Sequence, residues 1–310
     1  MESYKYIIGV DLGGTSIKFG LFDLSGKLNC KWCIPTDIKN QGNNILNDIN
    51  NSILNHIIEL GIKKSEIKGI GIDVPGPVDN NGIILNCVNL GWKNKNIEKE
   101  LKDISGFNVY VLNDANAAAL GELWKGNHDY NKTAVFVTLG TGVGGGIIIN
   151  GKILSGKHGL GGEIGHFCVD SSENAHICNC GKKGCLEKYS SATAIINNAK
   201  ELIGKEYKIE NAKDVFDLAY SGNKKAEAVI DIAADKLGYA FANLSVIIDP
   251  DIFIIGGGVS AAGEYIINKI KVAYNKYNPF FKSNSIEIFV SKLGNDAGIY
   301  GSAKLVLDNL

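Results

Sequence analysis

Arginine is absent: the 310-residue chain carries 32 basic residues and every one of them is lysine. No arginine finger or bidentate guanidinium clamp can come from this chain, so any phosphate it handles must be held by backbone N–H groups, lysines, hydroxyls or a metal ion. The abundance of Asn and Ile beside those lysines fits an AT-rich coding sequence. Net charge is nearly absent too, at -1, which removes the electrostatic reason for a nucleic-acid or anionic-membrane partner. No apolar run is long enough to span a bilayer. The first apolar stretch, Ile7 to Val10, is short and runs into Asp11 and a glycine pair, unlike a secretory leader. The expectation is a cytoplasmic protein. What is present is 45% hydrophobic and 21% charged residues, the balance of a folded soluble chain long enough for two domains.

Strands and helices alternate. Tyr6 to Val10 reads as a buried strand, Asp11-Leu-Gly-Gly-Thr15 as a turn and Ile17 to Phe22 as a second strand. Ile45, Ile49, Ile53, Ile57 and Leu60 recur at helical spacing. Ile70 to Val74 is a strand stopped by Pro75-Gly76-Pro77, and Val109 to Leu112 leads into an Ala-rich helix over 115–123. The opening unit then recurs: Ala134 to Leu139 as a strand, Gly140 to Gly146 as a glycine-rich turn, and Gly146 to Ile149 as a strand. A loop-rich insert follows from Gly156 to Cys185, then a long helix over 226–248, a strand Ile252 to Ile255 and a closing helix over 297–307. The pattern predicts an α/β protein of two related halves.

Both strand–turn–strand units suit phosphate. Gly13, Gly14 and Thr15 form a tight turn whose N–H groups can face phosphate oxygens, with Asp11 placed to hold Mg²⁺ through water and Lys18 on the strand that follows. Thr138, Gly140, Thr141 and Gly142 offer a second cradle. Neither matches a Walker loop, and neither opens a helix as a dinucleotide fingerprint does. Each alone reads equally well as an ordinary turn; their repetition favours a phosphate clamp. Gly257 and Gly258, after a third strand, suit close approach of a nucleoside, or equally a plain strand-to-helix turn.

Three of the seven cysteines crowd between Cys178 and Cys185. His166, Cys178, Cys180 and Cys185 make a Cys₃His set of the kind that closes around a structural Zn²⁺, leaving no open position for water. Cys30-Lys-Trp-Cys33 has redox-motif spacing without a thioredoxin-like context.

Together, Asp11-Leu-Gly-Gly-Thr15, Leu112-Asn-Asp-Ala-Asn116, Gly162-Glu-Ile-Gly-His166 and Cys178-x-Cys-Gly-x-x-Gly-Cys-Leu-Glu187 resemble the ROK family of sugar kinases and repressors, over about Ile7 to Lys304. The resemblance implies a two-lobed, actin-like ATPase fold with a cleft, one lobe being 1–113 plus the C-terminal helix 297–310 and the other 114–296. It implies ATP and a hexose as ligands and a homodimer or homotetramer as the assembly. Asp114 is then the catalytic base, with Asn113, Glu163, His166 and Glu187 touching sugar hydroxyls. His166 would serve sugar and metal through different ring nitrogens. ROK repressors carry an N-terminal helix-turn-helix, for which this sequence shows no room before its first strand.

Val74-Pro-Gly-Pro-Val-Asp79 and Asn89-Leu-Gly-Trp92 resemble the bacterial glucokinase branch most, while Ser190-Ser-Ala192 departs from the family pattern, which has a glycine after the serine. The expected reaction is phosphoryl transfer from ATP to the 6-hydroxyl of glucose. The alternatives are an N-acetylmannosamine, N-acetylglucosamine or fructose kinase on the same scaffold, a sugar-sensing regulator without turnover, and a metal-binding or redox module.

Overall fold

The computed structural model describes residues 4–79, 81–126, 128, 132–280 and 286–309. The chain opens with β1 (Tyr6–Leu12), β2 (Ser16–Asp23), β3 (Leu28–Pro35), the short turn α1 (Lys39–Gly42), α2 (Ile45–Glu59) and β4 (Ile67–Val74). Next come β5 (Ile83–Cys87), β6 (Trp92–Asn96), α3 (Ile97–Ser105), β7 (Val109–Asn113) and α4 (Asp114–Lys125). The second half contains β8 (Ala134–Leu139), β9 (Val143–Ile149), β10 (Lys152–Ile153), α5 (Glu187–Ser190), α6 (Ala192–Ile203), α7 (Ala212–Tyr220) and α8 (Lys224–Ile248). It ends with β11 (Ile252–Gly256), α9 (Glu264–Tyr277), β12 (Glu287–Val290) and α10 (Ala297–Asp308).

Contacts gather these elements into two compact units. One comprises Met1–Tyr130, Ile153–Gly161 and Asn295–Leu310; the other comprises Asn131–Lys152 and Gly162–Gly294. This corrects the expected boundary after residue 113. Helix α4 joins the first unit because its Ala117 and Gly121 lie against the backbone of α10, where Gly301 and the Ala297 carbonyl leave no space for an added Cβ. Gly159 likewise sits on the Val78 carbonyl, which holds 153–161 in the first unit.

The first unit is built on a five-stranded sheet in the order β3-β2-β1-β4-β7. Strands β1 and β2 form an antiparallel hairpin, whereas β1–β4 and β4–β7 are parallel. The isoleucine stripe of α2 is buried as its spacing predicts, in one cluster with Ile8, Val10 and Ile72. Gly9 of β1 and Gly71 of β4 lie directly under the Ile299 and Ser302 carbonyls of α10. A side chain at either position would hold that helix off the sheet.

The second unit repeats the arrangement, with its five strands in the order β10-β9-β8-β11-β12. β8 and β9 are antiparallel; β8–β11 and β11–β12 are parallel. Its core includes Phe241 of α8 stacked on Phe253 of β11, with ring centroids 4.2 Å apart. One element differs from expectation. Gly144, Gly145 and Gly146 are not turn residues but lie within β9, paired with Thr138, Val137 and Phe136, so the turn is only 140–142. Gly145 is needed there because the backbone of Gly162 crosses it so closely that a Cβ would meet the Gly162 carbonyl at 2.6 Å. Cys30 and Cys33 stand three apart on β3, hence on opposite faces of the strand, and both are free. Among the described residues no helix is long and apolar enough to cross a membrane.

Candidate active site

In the first unit, carboxylates collect at the C-terminal ends of three neighbouring parallel strands, the edge where open α/β sheets bind ligands. Register does this: Asp11 of β1 lies opposite Asp73 of β4, and Val74 lies opposite Asn113 of β7, the residue before Asp114. Asp11 accepts a hydrogen bond from Lys18 Nζ at 2.8 Å, and the same ammonium reaches the Asn295 carbonyl at 3.1 Å. The glycine turn closes through Gly13 N–H to the Ser16 carbonyl at 3.0 Å. Thr36, from beyond β3, braces it twice. Its N–H donates to the Thr15 carbonyl at 3.0 Å and its hydroxyl to the Gly13 carbonyl at 2.7 Å. Sequence reading missed Thr36, since the link is tertiary.

Asp73 was also missed. It is fully buried, with Oδ2 accepting the Ser302 hydroxyl at 2.9 Å and Oδ1 without a hydrogen-bond partner. Burial, reinforced by the charges of Asp11 and Asp114, pushes its carboxyl well above the usual carboxylate range, against the smaller pull of Ser302. Asp73 is thus a buried carboxyl group whose charged form is disfavoured by burial and by Asp11 and Asp114. Gly298 of α10 faces the pair: a Cβ there would meet Asp73 Oδ2 at 2.9 Å and Asp11 Cγ at 3.1 Å. An all-oxygen group of this kind suits a hard cation such as Mg²⁺.

Asn113, not Asp114, caps helix α4. Its Oδ1 accepts from Ala115 N–H at 3.0 Å and Asn116 N–H at 3.2 Å, while its Nδ2 donates to the Gly76 carbonyl at 3.1 Å and Asp114 Oδ1 at 2.9 Å. Asn113 thereby links the Gly76 carbonyl, the Asp114 carboxylate and the first turn of α4. Asp114 occupies the first turn, where Ala115 N–H also reaches its Oδ1 at 2.8 Å and the helix dipole favours its charge. Its residue is exposed.

The second unit's loop is uncharged. The glycines divide by what the chain itself demands of them. Gly257 has a φ of +79° and its Cβ site is filled by the Leu139 backbone, so the fold requires glycine there. A Cβ on Gly142 would strike Glu187 Oε2. Around Gly140 and Gly258 nothing lies within 4 Å of an added Cβ, and neither has a positive φ. In the first unit Gly14 is comparable, its nearest neighbour being Asn89 Cβ at 3.8 Å. Gly14, Gly140 and Gly258 therefore leave open backbone of the kind a ligand can approach closely. Thr141 is exposed at the tip of the loop, and Thr138 stands at the end of β8 opposite Gly256.

The donor atoms of His166, Cys178, Cys180 and Cys185 lie within 4.8 Å of one another. Cys180 and Cys185 sulfurs are 3.6 Å apart and Cys178 Sγ is 3.8 Å from His166 Nδ1. Zinc–sulfur bonds of about 2.3 Å in a tetrahedron put ligand atoms roughly 3.8 Å apart, so the set fits Zn²⁺. Without the ion, burial pushes the Cys185 thiol up to about 12, aided by its neighbouring cysteines, while the Lys182 N–H holds Cys180 down. Tyr189 braces the loop by donating to Asp170 Oδ2 at 2.7 Å. The Ser172 N–H, and then that phenol, hold Asp170 at about 2. Glu163 and His166 are exposed, the first just before and the second at the end of the one-turn helix Ile164–His166, and Glu187 opens α5. Where the serine pair departs from the family pattern, Ser191 caps α6 by accepting the Ala194 N–H at 3.0 Å.

This geometry has counterparts among known proteins. The family model described as the ROK family matches residues 7–309. The chain belongs to the ROK family. A glucokinase of Halalkalibacterium halodurans is 39% identical over 98% of this chain and 96% of its own. Among solved structures, a ROK hexokinase from Thermus thermophilus superposes with a TM-score of 0.84 at 31% identity, covering 97% of both chains. A ROK glucokinase from Streptomyces griseus, solved with glucose and AMPPNP, gives a TM-score of 0.75 at 30% identity, covering 97% of this chain and 98% of its own. The two-lobed actin-like fold of ROK sugar kinases is thus the fold of this chain.

Proposed function

We propose that the chain is an ATP-dependent hexose kinase that phosphorylates the 6-hydroxyl of glucose. The observation that carries this is local to the first unit. Asp114, fixed by Asn113 and the α4 N-terminus, acts on the same buried Asp73 as Asp11 does, which supports reading it as a base beside a turn that takes a cation and phosphate. The glucokinase relatives and the nucleotide-bound neighbour support the same reading.

Asp114 takes the proton of the sugar 6-hydroxyl as that oxygen bonds to the terminal phosphorus, and the bond from this phosphorus to the bridging oxygen breaks to release ADP. A carboxylate is a weak base, but phosphoryl transfer depends mainly on positioning and charge neutralisation. The phosphate role is assigned to Gly13, Gly14 and Thr15 in the first unit, with Lys18 adding charge, and to Thr138, Gly140, Thr141 and Gly142 in the second; the Gly13 and Gly140 N–H groups close their own turns and leave the donating to their neighbours. Gly257 and Gly258 accommodate the nucleoside. Asp11 would hold Mg²⁺ through water; the ion supplies charge neutralisation to the phosphates when bound. Asn113, Glu163, His166 and Glu187 are assigned to sugar hydroxyls. His166, Cys178, Cys180 and Cys185 would hold Zn²⁺, which shapes the loop that carries them. We further propose a cytoplasmic homodimer or homotetramer, which sedimentation would check.

The test is ATP-coupled turnover on glucose, mannose, fructose, N-acetylglucosamine and N-acetylmannosamine, with the phosphate located by ³¹P NMR. Glucose 6-phosphate as the favoured product is expected. Preference for an acetamido sugar would replace the substrate, and failure to phosphorylate any hexose would overturn the kinase.

A further inference from the structure

The metal cluster and the second glycine loop are joined at close range inside the second unit. Glu187 Oε2 accepts the Val143 N–H at 3.2 Å, while its Oε1 lies 4.0 Å from the Cys178 sulfur. A Cβ on Gly142 would meet this carboxylate at 2.3 Å, so carboxylate and loop lie in direct contact. The turn that carries His166 lies on the same strand from another side. Gly165 sits against the Val143 carbonyl, and the Gly162 and Gly145 backbones exclude each other's Cβ. Leu186 N–H donates to the Phe167 carbonyl at 2.9 Å, which ties the segment after Cys185 to the one after His166. Finally, Ala192 N–H donates to the Gly140 carbonyl at 2.8 Å.

The loop between these anchors has little of its own to hold it. Gly140 N–H reaches the Gly142 carbonyl at 3.0 Å, and no atom packs within 4 Å of the Gly140 Cβ site. Its orientation is therefore fixed at its ends, by Ala192 on one side and by Glu187 on the other.

We propose that metal occupancy of the His166–Cys178–Cys180–Cys185 cluster controls the nucleotide affinity of the 140–142 loop, with Glu187 as the positioning residue that transmits it. The inference rests on reading that loop as a phosphate cradle and deepens it. Metal binding orders its ligand loop with free energy that is also folding free energy. The ordered loop holds the Glu187 carboxylate against Val143, and the Thr141 and Gly142 N–H groups are then preorganised for phosphate, the Gly140 N–H closing the turn. Losing the ion releases Cys178 and the start of α5, and the loop loses one of its two anchors.

The experiment measures Mg-ADP affinity by calorimetry on the full chain without sugar, before and after a zinc-selective chelator that spares Mg²⁺. Zinc content is followed by mass spectrometry. In wild type, metal removal is expected to weaken ADP by about tenfold, within the usual range of coupling between two sites. In Glu187→Ala, affinity should already be low with zinc bound, and chelation should change it by less than about twofold. Glu187→Gln, whose amide carbonyl can still accept the Val143 N–H, should restore wild-type affinity and its dependence on zinc. If Glu187→Ala does not fold, hydrogen exchange of the peptide spanning 140–146 in wild type replaces it, with faster exchange expected after chelation. Unchanged ADP affinity or protection on metal removal overturns the proposal, as does an equal chelation effect in Glu187→Ala. A zinc-loaded chain that binds no Mg-ADP in any form would overturn the phosphate-loop reading instead.

Discussion

The two sheets share one strand arrangement, yet the ends of their central strands carry opposite chemistry. In the first, the aligned pair at the end of β1 and β4 is Asp11 and Asp73, and Asp11 faces Lys18 across the hairpin. In the second, the aligned pair is Thr138 and Gly256, and Thr138 faces Gly144. The first turn is thus a charged site that can carry a cation and a base, and the second is a neutral array of N–H and hydroxyl donors. On the proposed reading, a chain without arginine separates these tasks: charge from Lys and metal at one turn, and hydrogen-bond geometry from bare backbone at the other.

The largest effect is expected at Asp114. Asp114→Asn keeps an oxygen for Asn113 Nδ2 and Ala115 N–H but removes the base. Turnover with ATP and glucose should fall roughly 10²–10⁴-fold, the usual contribution of a general base, while thermal stability stays within about 1 kcal/mol. Near-normal turnover would return Asp114 to a helix-terminus role.

Backbone comes next. Gly140→Ala in the neutral turn and Gly14→Ala in the charged one add a methyl into space the chain leaves open, so melting should shift by less than about 0.5 kcal/mol. Mg-nucleotide affinity should nevertheless drop about tenfold in each, since the methyl occupies the place of approach. Gly142→Ala is the contrast: it should lose stability through its clash with Glu187. Equal nucleotide affinity of Gly140→Ala and wild type, by calorimetry, would remove the second turn from the phosphate site.

Much of this was legible because the signals were local. Strand–glycine–strand units, the α2 stripe and the spacing of Cys178, Cys180 and Cys185 are properties of short segments, and those segments fold as units. What was not legible depends on register and packing. Asp73 was passed over within the apolar run Ile70 to Val74, although a lone carboxylate among residues buried on both faces was a usable signal. Thr36 and Ser302 act on residues 23 and 229 positions away, beyond any periodicity. The extent of the second turn was misjudged because glycines were read as loop formers. Gly145 is instead a strand residue that admits a crossing backbone.

Asp73 gives a smaller, pH-dependent effect confined to the charged site. Its folded-state pKa is raised above the unfolded value of about 3.9. Its contribution to stability is therefore fully present below that value and is lost as pH rises through the raised folded-state pKa. Asp73→Asn, neutral throughout, should match wild type near pH 4. It should exceed wild type at pH 8 by on the order of 1 kcal/mol, a typical single-site effect. Denaturant midpoints across this range decide it, and parallel profiles for the two proteins would mean that Asp73 is ionised in the fold.

The smallest effect tests whether the charge at the first turn acts on ligand or only on the fold. Lys18 and Asp11 are 2.8 Å apart with side chains 34% and 19% exposed, so solvent screens the pair and its worth to stability is about 0–1 kcal/mol. Lys18→Met retains the stem and should hardly move the melting temperature. If the ammonium also meets phosphate, Mg-nucleotide affinity should fall about 2–5-fold at low ionic strength. The difference should shrink toward physiological salt, where the Debye length is about 8 Å. A salt-independent loss would point to altered backbone geometry at the turn. No loss at low salt would confine Lys18 to pairing with Asp11, and the first turn would then rely on the metal alone for positive charge.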